Sequence, residues 1–287
     1  TPDKLYEHDG DRIVDITPIV TAVTLANVFG TSSGSTRVCC SDTSHNQKVG
    51  NYVYFTSTAT FNAVSLSTNV YPIVSVDSTN VFTISVTDAA NATASDVGSA
   101  TFNYLLPTGN SIATGGLGYG AAAFQATVCA SQTRAWNEAA SADASDIVFD
   151  ISQWSLDNWG DDVVANRSGG NIYYFESDAS TVPIRATSVT SSPVSVNSIV
   201  VSPNDRHLIC LGANSYNATS TVNGPFDPML VRWSDQDDRT NWVPSLTTTS
   251  GEVVLTDGTK IIGGLRSRNA IHIWTDNAMW TMQFVGP

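Results

Sequence analysis

Between residue 146 and the end of the chain, short apolar runs come in three groups separated by polar turns. The first group is Ile147 to Ile151, Val163 to Ala165 and Ile172 to Phe175. The second is Ser198 to Val201, His207 to Leu211 and Met229 to Trp233. The third is Glu252 to Leu255, Lys260 to Leu265, Ala270 to Trp274 and Ala278 to Phe284. Each run is too short for a helix that buries one stripe. The closing runs are bounded by turn formers at Pro203 to Arg206, Ser267 to Asn269 and Thr275 to Asn277. Hairpin-linked strands in groups of three or four predict β-propeller-like blades.

The N-terminal part has a different texture. Residues 9–19 read as a turn and an alternating strand that Pro18 ends. From 21 to 106 charges thin out, and Asn51 to Phe55, Val70 to Val76, Val81 to Val86 and Thr101 to Leu105 read as strands. The turn formers Asp77 to Asn80 predict a hairpin between the second and third of these. Residues 21–106 are therefore expected to be a small antiparallel β-sandwich or barrel inserted into a propeller-like platform of residues 1–20 and 107–287. Residues 107–125 read as a Pro-, Gly- and Ala-rich connector, and 134–145 as a short helix. The fold class is all-β, with propeller-like blades and one inserted β-domain. Charged residues make up only 14 % of the chain and apolar ones 41 %. The polar share falls to Ser, Thr, Asn and Asp, which suit strands and turns. The chain starts at Thr1 and stops at Pro287, and is read as a fragment or a processed chain.

Several chemistries lack their residues. The net charge is −13, with 13 Lys and Arg in all. Gripping a phosphate backbone needs basic clusters, and Arg266 with Arg268 is the nearest approach to one. No run approaches the ~20 apolar residues of a membrane span. Gly116, Gly118 and Gly120 lack both the dinucleotide spacing and the Lys-Ser/Thr ending of a phosphate loop. His8, His45, His207 and His272 share no metal-ligand spacing. Cys39, Cys40, Cys129 and Cys210 are expected to be buried free thiols, with Cys39 and Cys40 on opposite faces of a strand. Asp157, Asp161 and Asp162, or Asp235, Asp237 and Asp238, offer oxygen ligands for calcium, but neither set fits a known calcium-loop pattern. Their expected role is to cap loop backbone. No catalytic, cofactor-binding or metal-ligating residue is assigned, and no cofactor is expected. Asn91, Asn166 and Asn217 match the N-glycosylation acceptor, as chance allows in so Ser- and Thr-rich a chain.

Three segments go further: Trp154 to Asp162, Trp233 to Trp242 and Lys260 to Pro287. With Gly169 to Tyr174 and Asp205 to Leu208 between them, they resemble the nozzle, or packaged-DNA stabilisation, proteins of short-tailed bacteriophages. The match covers roughly 146–287 and the strand near 12–17. The resemblance implies a non-enzymatic virion structural protein of the viral tail. It would form a homo-oligomeric ring, commonly a hexamer, below the portal and adaptor, beside other tail proteins and tail fibres. Genomic DNA would pass through the ring without specific binding during DNA ejection. The family usually continues with more strands where this chain stops, so the platform is expected to be an incomplete propeller. Ser234 to Trp242 also resembles the Asp-box of sialidase-type propellers, but Gln236 and Asp238 stand at its Asp and Gly positions. The alternative function is a receptor- or glycan-binding propeller with Trp136, Trp154 and Trp280 in a shallow cleft. A propeller glycosidase would need two carboxylates held across one sugar bond.

Overall fold

The computed structural model describes residues 4–8, 10–11, 13–107, 153–177, 185–219 and 223–285, with backbone alone at 21 and 22. Every regular element among them is a strand, so the chain is all-β as its turn chemistry and short apolar runs predict. The described residues divide into two compact units, Lys4 with 19–107, and 5–18 with 153–285. The expected connector from 108 onward, the helix at 134–145 and the strand Ile147 to Ile151 lie outside the described residues.

The chain opens with the hairpin β1 (Tyr6–His8) and β2 (Ile13–Asp15), which belongs to the second unit. The first unit then follows as β3 (Ile19–Thr31), β4 (Arg37–Ser41), β5 (Tyr52–Phe55), β6 (Ala59–Phe61), β7 (Val64–Leu66), β8 (Val70–Ser78), β9 (Val81–Ser85) and β10 (Ala94–Leu105). Six of these close a barrel in the order β10-β3-β4-β9-β8-β5, while β6 and β7 make a separate hairpin. Closure leaves no free edge along the ring of strands. Register shifts in β8 and β10 mark bulges, which add the local bend that a small barrel needs. The interior is aromatic: Phe29, Phe55, Phe61, Phe82, Phe102 and Tyr104 are all buried. Phe29 stacks on Phe61 at 4.7 Å, and Phe102 meets Tyr104 edge-on at 5.6 Å. The Tyr104 hydroxyl donates to Asp42 Oδ2 at 2.6 Å.

Within β4 the two adjacent cysteines part company. Cys40 is a free thiol inside the barrel core. Cys39 is disulfide-bonded, which corrects the expectation of a free thiol there. Opposite facing of strand neighbours explains how one can be sealed inside while the other makes a covalent link. Cys210 is free and buried as expected. Burial alone pushes the Cys40 thiol far up from its ordinary value, and it does the same to Cys210, outweighing the opposing pull of Arg232.

The second unit stacks three antiparallel meanders. Sheet one is β11 (Trp154–Trp159), β12 (Asp162–Arg167), β13 (Ile172–Phe175) and β14 (Thr187–Ser188). Sheet two is β15 (Val196–Val201), β16 (Leu208–Asn214), β17 (Phe226–Trp233) and β18 (Gly251–Val254). Sheet three is β19 (Ile261–Arg266), β20 (Ile271–Thr275) and β21 (Met279–Met282). The opening strands β11, β15 and β19 run beside one another, the way propeller blades approach their axis. Sheet two is buried on both faces. Ile199, Val201, Leu208 and Cys210 pack on Trp159, Val164 and Ile172 of sheet one. Val200, Ile209, Leu211 and Val231 pack on Ile261, Ile271 and Ile273 of sheet three. Double burial is why β15 and β16 read as continuous apolar runs.

Two strands differ from expectation. The sequence pattern groups Glu252 to Leu255 with the last meander, yet β18 pairs with β17 as the edge of sheet two. The polar loop 234–250 hides that return, and Gly251 permits it. A Cβ there would sit 2.6 Å from the Trp233 ring. Trp154 to Trp159 carries too many polar residues to stand out as a strand, but it opens sheet one. The hairpin anticipated at Asp77 to Asn80 turns on Thr79 and Asn80 alone.

Residues 5–18 join the sheet unit through polar contacts. Ala186 N–H donates to the Ile16 carbonyl at 3.2 Å. The Arg185 guanidinium grips Asp15 through Nη1–Oδ1 at 3.0 Å and Nη2–Oδ2 at 3.2 Å. Burial raises the Asp15 pKa, but the bonds from Arg185 and Thr17 outweigh it and hold the carboxyl below its ordinary value.

Candidate functional site

The two acidic segments are structural clasps. Asp157 on β11 accepts the Val201 N–H of β15 at 2.8 Å through Oδ2. Its Oδ1 pairs with Arg266 of β19 at 2.9 Å. One carboxylate thus ties the opening strands of all three sheets, and it joins the first and last segments of the phage resemblance. Asp162 accepts the Tyr174 hydroxyl and the Ser177 N–H instead, while the Asp161 carbonyl accepts the Ser177 hydroxyl. Asp157, Asp161 and Asp162 therefore do not converge on one point.

The loop after β17 is built around Asp235. Its Oδ1 accepts Gln236 N–H at 3.0 Å, Thr249 N–H at 2.7 Å and the Thr249 hydroxyl at 2.6 Å. Its Oδ2 accepts Asn241 Nδ2 at 3.2 Å. Burial raises the pKa, but the bonds from Thr249 and Gln236 outweigh it and hold the carboxyl below the usual range. Asp238 caps the Thr240 N–H at 2.8 Å, and Asp237 pairs with Arg206 at 3.2 Å on the surface. These side chains fasten the loop, the role their turn-forming chemistry predicts. Trp233 and Trp242 flank the loop on opposite faces of sheet two. Trp242 is fully buried against sheet one, and Trp233 packs toward sheet three. Among the described residues no group of three or more His, Cys, Asp or Glu side chains could hold a metal ion.

A cavity of about 760 Å³ lies between sheets two and three. Ile209, Val231, Trp233, Leu255, Ile271, Ile273, Trp280 and Phe284 form its walls, and Asn204, Asp205, Asn269 and Val285 lie at its rim. Its volume is within the usual range for small-molecule sites. Two of the lining residues, His207 and Trp280, each have a ring nitrogen (Nε2 and Nε1) that is sealed from solvent and has no hydrogen-bond partner. Sequence reading did not single out this place. Its signals were scattered: a histidine at the foot of β16, and aromatic residues on β17 and β21.

The remaining candidates are dispersed. His45 is buried in the barrel unit against the Ser78 carbonyl, and His8 Nδ1 accepts the Gly10 N–H. His272 lies on the open face of sheet three beside Thr281. Trp280 lines the cavity, whereas Trp154 is on β11 of sheet one and is not among the lining residues. Gly116, Gly118, Gly120, Cys129 and Trp136 lie outside the described residues. Asn166 is fully buried, and its side-chain amide donates to the Arg167, Gly170 and Asn171 carbonyls, closing the β12–β13 turn. Among the described residues no helix is long and apolar enough to cross a membrane.

No family model and no curated protein matches this chain. Among solved structures it is similar to the phage phi92 endosialidase, with 15 % identity and a TM-score of 0.25. That likeness covers 88 % of this chain and 34 % of the endosialidase chain, so the chain spans about a third of that protein's length.

Proposed function

We propose that this chain is a non-enzymatic structural subunit of a bacteriophage virion, part of the short-tail nozzle through which the genome leaves. The observation that carries the reading is the Asp157 clasp. Asp157 and Arg266, from the first and last of the segments resembling nozzle proteins, are engaged in tying strands, with Val201 N–H as the third partner. Such residues serve rigidity rather than turnover. The open face of sheet three adds support: Ile262, Leu265 and Met279 are each about 60 % exposed. Apolar groups on one exposed sheet face suit contact between neighbouring subunits of a ring. The net charge of −13 suits a conduit that DNA slides past without being held.

In this proposal the subunit forms a hexameric ring below portal and adaptor. Gold-labelled antibody against the chain should mark the tail of intact particles, and light scattering of the purified chain should give a ring mass. Label on the capsid alone, or a monomer at every concentration, would overturn the proposal.

A further inference from the structure

We propose that the outer edge of sheet three is a docking site for an extended segment of another polypeptide, seated beside β21 as a fourth strand with apolar side chains at alternate positions. This goes beyond the tail reading and stands independently of it. Sheets one and two each have four strands, whereas sheet three has three. In sheet two the fourth place is held by β18, which closes on β17. In sheet three β21 pairs with β20 alone among the described residues, so its far side is an open edge. Thr275 N–H donates to the Ala278 carbonyl at 2.9 Å, which sets the phase of the ladder. Bonded and non-bonded pairs alternate in an antiparallel pair, so Trp280 and Met282 turn their backbone groups to Ile273 and Ile271 of β20. Met279 and Thr281 turn theirs outward, where only water or another strand can meet them.

This edge carries none of the guards that keep strands from pairing with strangers. Met279 to Phe284 has no charged residue and no Pro, and the pairing of β21 with β20 runs without a bulge. The other closing edges differ: β14 is two residues long, and β18 carries Glu252. The cavity gives the second observation. The opening strand β19 packs on β15 and β16, and beyond it the space of about 760 Å³ separates Val254 and Leu255 from Trp280, Met282 and Phe284. A strand beside β21 would send every second side chain into this space, because strand side chains alternate between faces. No Lys or Arg is among the lining residues and Asp205 at the rim is the lone carboxylate, so the inward side chains must be apolar. Val253 and Val254, half exposed on the facing edge, are apolar surface that such a strand would cover. The β21 strand of a second copy would not fill the space, since its inward side chains, Trp280 and Met282, already wall a cavity of their own. Main-chain pairing would supply affinity and the cavity would select the side chains, as in β-strand addition generally.

The test is titration of the full chain with a capped heptapeptide of alternating threonine and isoleucine, read by isothermal calorimetry and by amide hydrogen exchange. Two control peptides share its composition: one has the isoleucines contiguous, and the other keeps the alternation but is N-methylated at every residue. Saturable binding of the alternating peptide is expected, about tenfold tighter than either control, because breaking the alternation or removing the N–H groups forfeits several main-chain bonds. In the free chain the Met279 and Thr281 amides should exchange faster than those of Trp280 and Met282, and the alternating peptide should slow the first pair alone. Thr281→Pro removes an N–H that lies outside the β20 ladder, so it should lose the peptide while the melting temperature holds. Non-saturable titration, equal binding of a control peptide, or full binding by Thr281→Pro would each overturn the proposal. So would self-association that Thr281→Pro abolishes in a chain that ignores the peptide, since the edge would then belong to a second copy.

Discussion

The two units solve the same problem in opposite ways. In the barrel unit, six strands close on themselves and enclose an aromatic core, so the sheet provides both its own edges and its own cover. In the sheet unit, each meander is open, and only stacking covers its faces. Sheet two is sealed by neighbours on both sides, but sheet three is sealed on one. Its other face shows Ile262, Leu265, Trp274 and Met279. A closed sheet is complete within its unit, whereas a stack always ends in a face that wants another layer. That asymmetry is why the sheet unit is the better candidate for assembly contacts.

The comparison can be broken most forcefully in the cores. Phe102→Ala in the barrel and Trp242→Ala in the stack each remove a fully buried ring. Each is expected to cost about 3–5 kcal/mol, seen as loss of one calorimetric transition while the other persists. A single transition that shifts as a whole in both variants would show that the two units do not unfold separately. Next in size is Gly264→Ala, because a Cβ there would meet Leu211 Cδ1 at 2.6 Å. Overpacking between sheets two and three should cost about 1–3 kcal/mol in urea titrations and leave the barrel transition in place. Asp157→Asn should cost about 1 kcal/mol, since it weakens a partly exposed ion pair while keeping a hydrogen-bond acceptor for Val201. Added salt should shrink the gap between Asp157→Asn and the parent protein. A variant indistinguishable from the parent at low salt would remove the clasp.

Acid offers a finer test of the same contrast. Asp15 and Asp235 both belong to the sheet unit, and both carboxyls are held below their ordinary values. A depressed folded-state pKa contributes stability that is complete above the unfolded value, about 3.9, and is lost as pH falls through the folded one. The melting temperature of the sheet unit should therefore fall at low pH, and Asp235→Asn should flatten that slope. An unchanged slope in the variant would refute the role given to the Asp235 loop. The smallest signal is chemical. Cys40 reports on the barrel and Cys210 on the stack, and both are sealed. Iodoacetamide labelling mapped by peptide mass should modify each thiol only as its own unit opens.

Local chemistry was legible along the chain wherever one residue type has one common use. The short runs at Ile172 to Phe175, His207 to Leu211 and Ala270 to Trp274 fall on strands β13, β16 and β20, and the Asp235 loop is fastened by carboxylates as its turn-forming residues suggest. The edge role of β18, the disulfide at Cys39 and the partnership of Asp157 with Arg266 were not legible. The edge role of β18 and the Asp157–Arg266 pair each depend on a partner far away in the sequence. The cavity was hidden for the same reason, since its walls come from strands separated by dozens of residues.

The sequence alone determined that this protein is built from strands, because runs this short cannot bury a helical stripe and turn formers bound most of them. Which strands share a sheet, which nitrogens lack a partner and which face stays open are set by the three-dimensional arrangement. Strand pairing and burial are set by three-dimensional closure, and periodicity along a chain records which side a residue takes but not what it meets there.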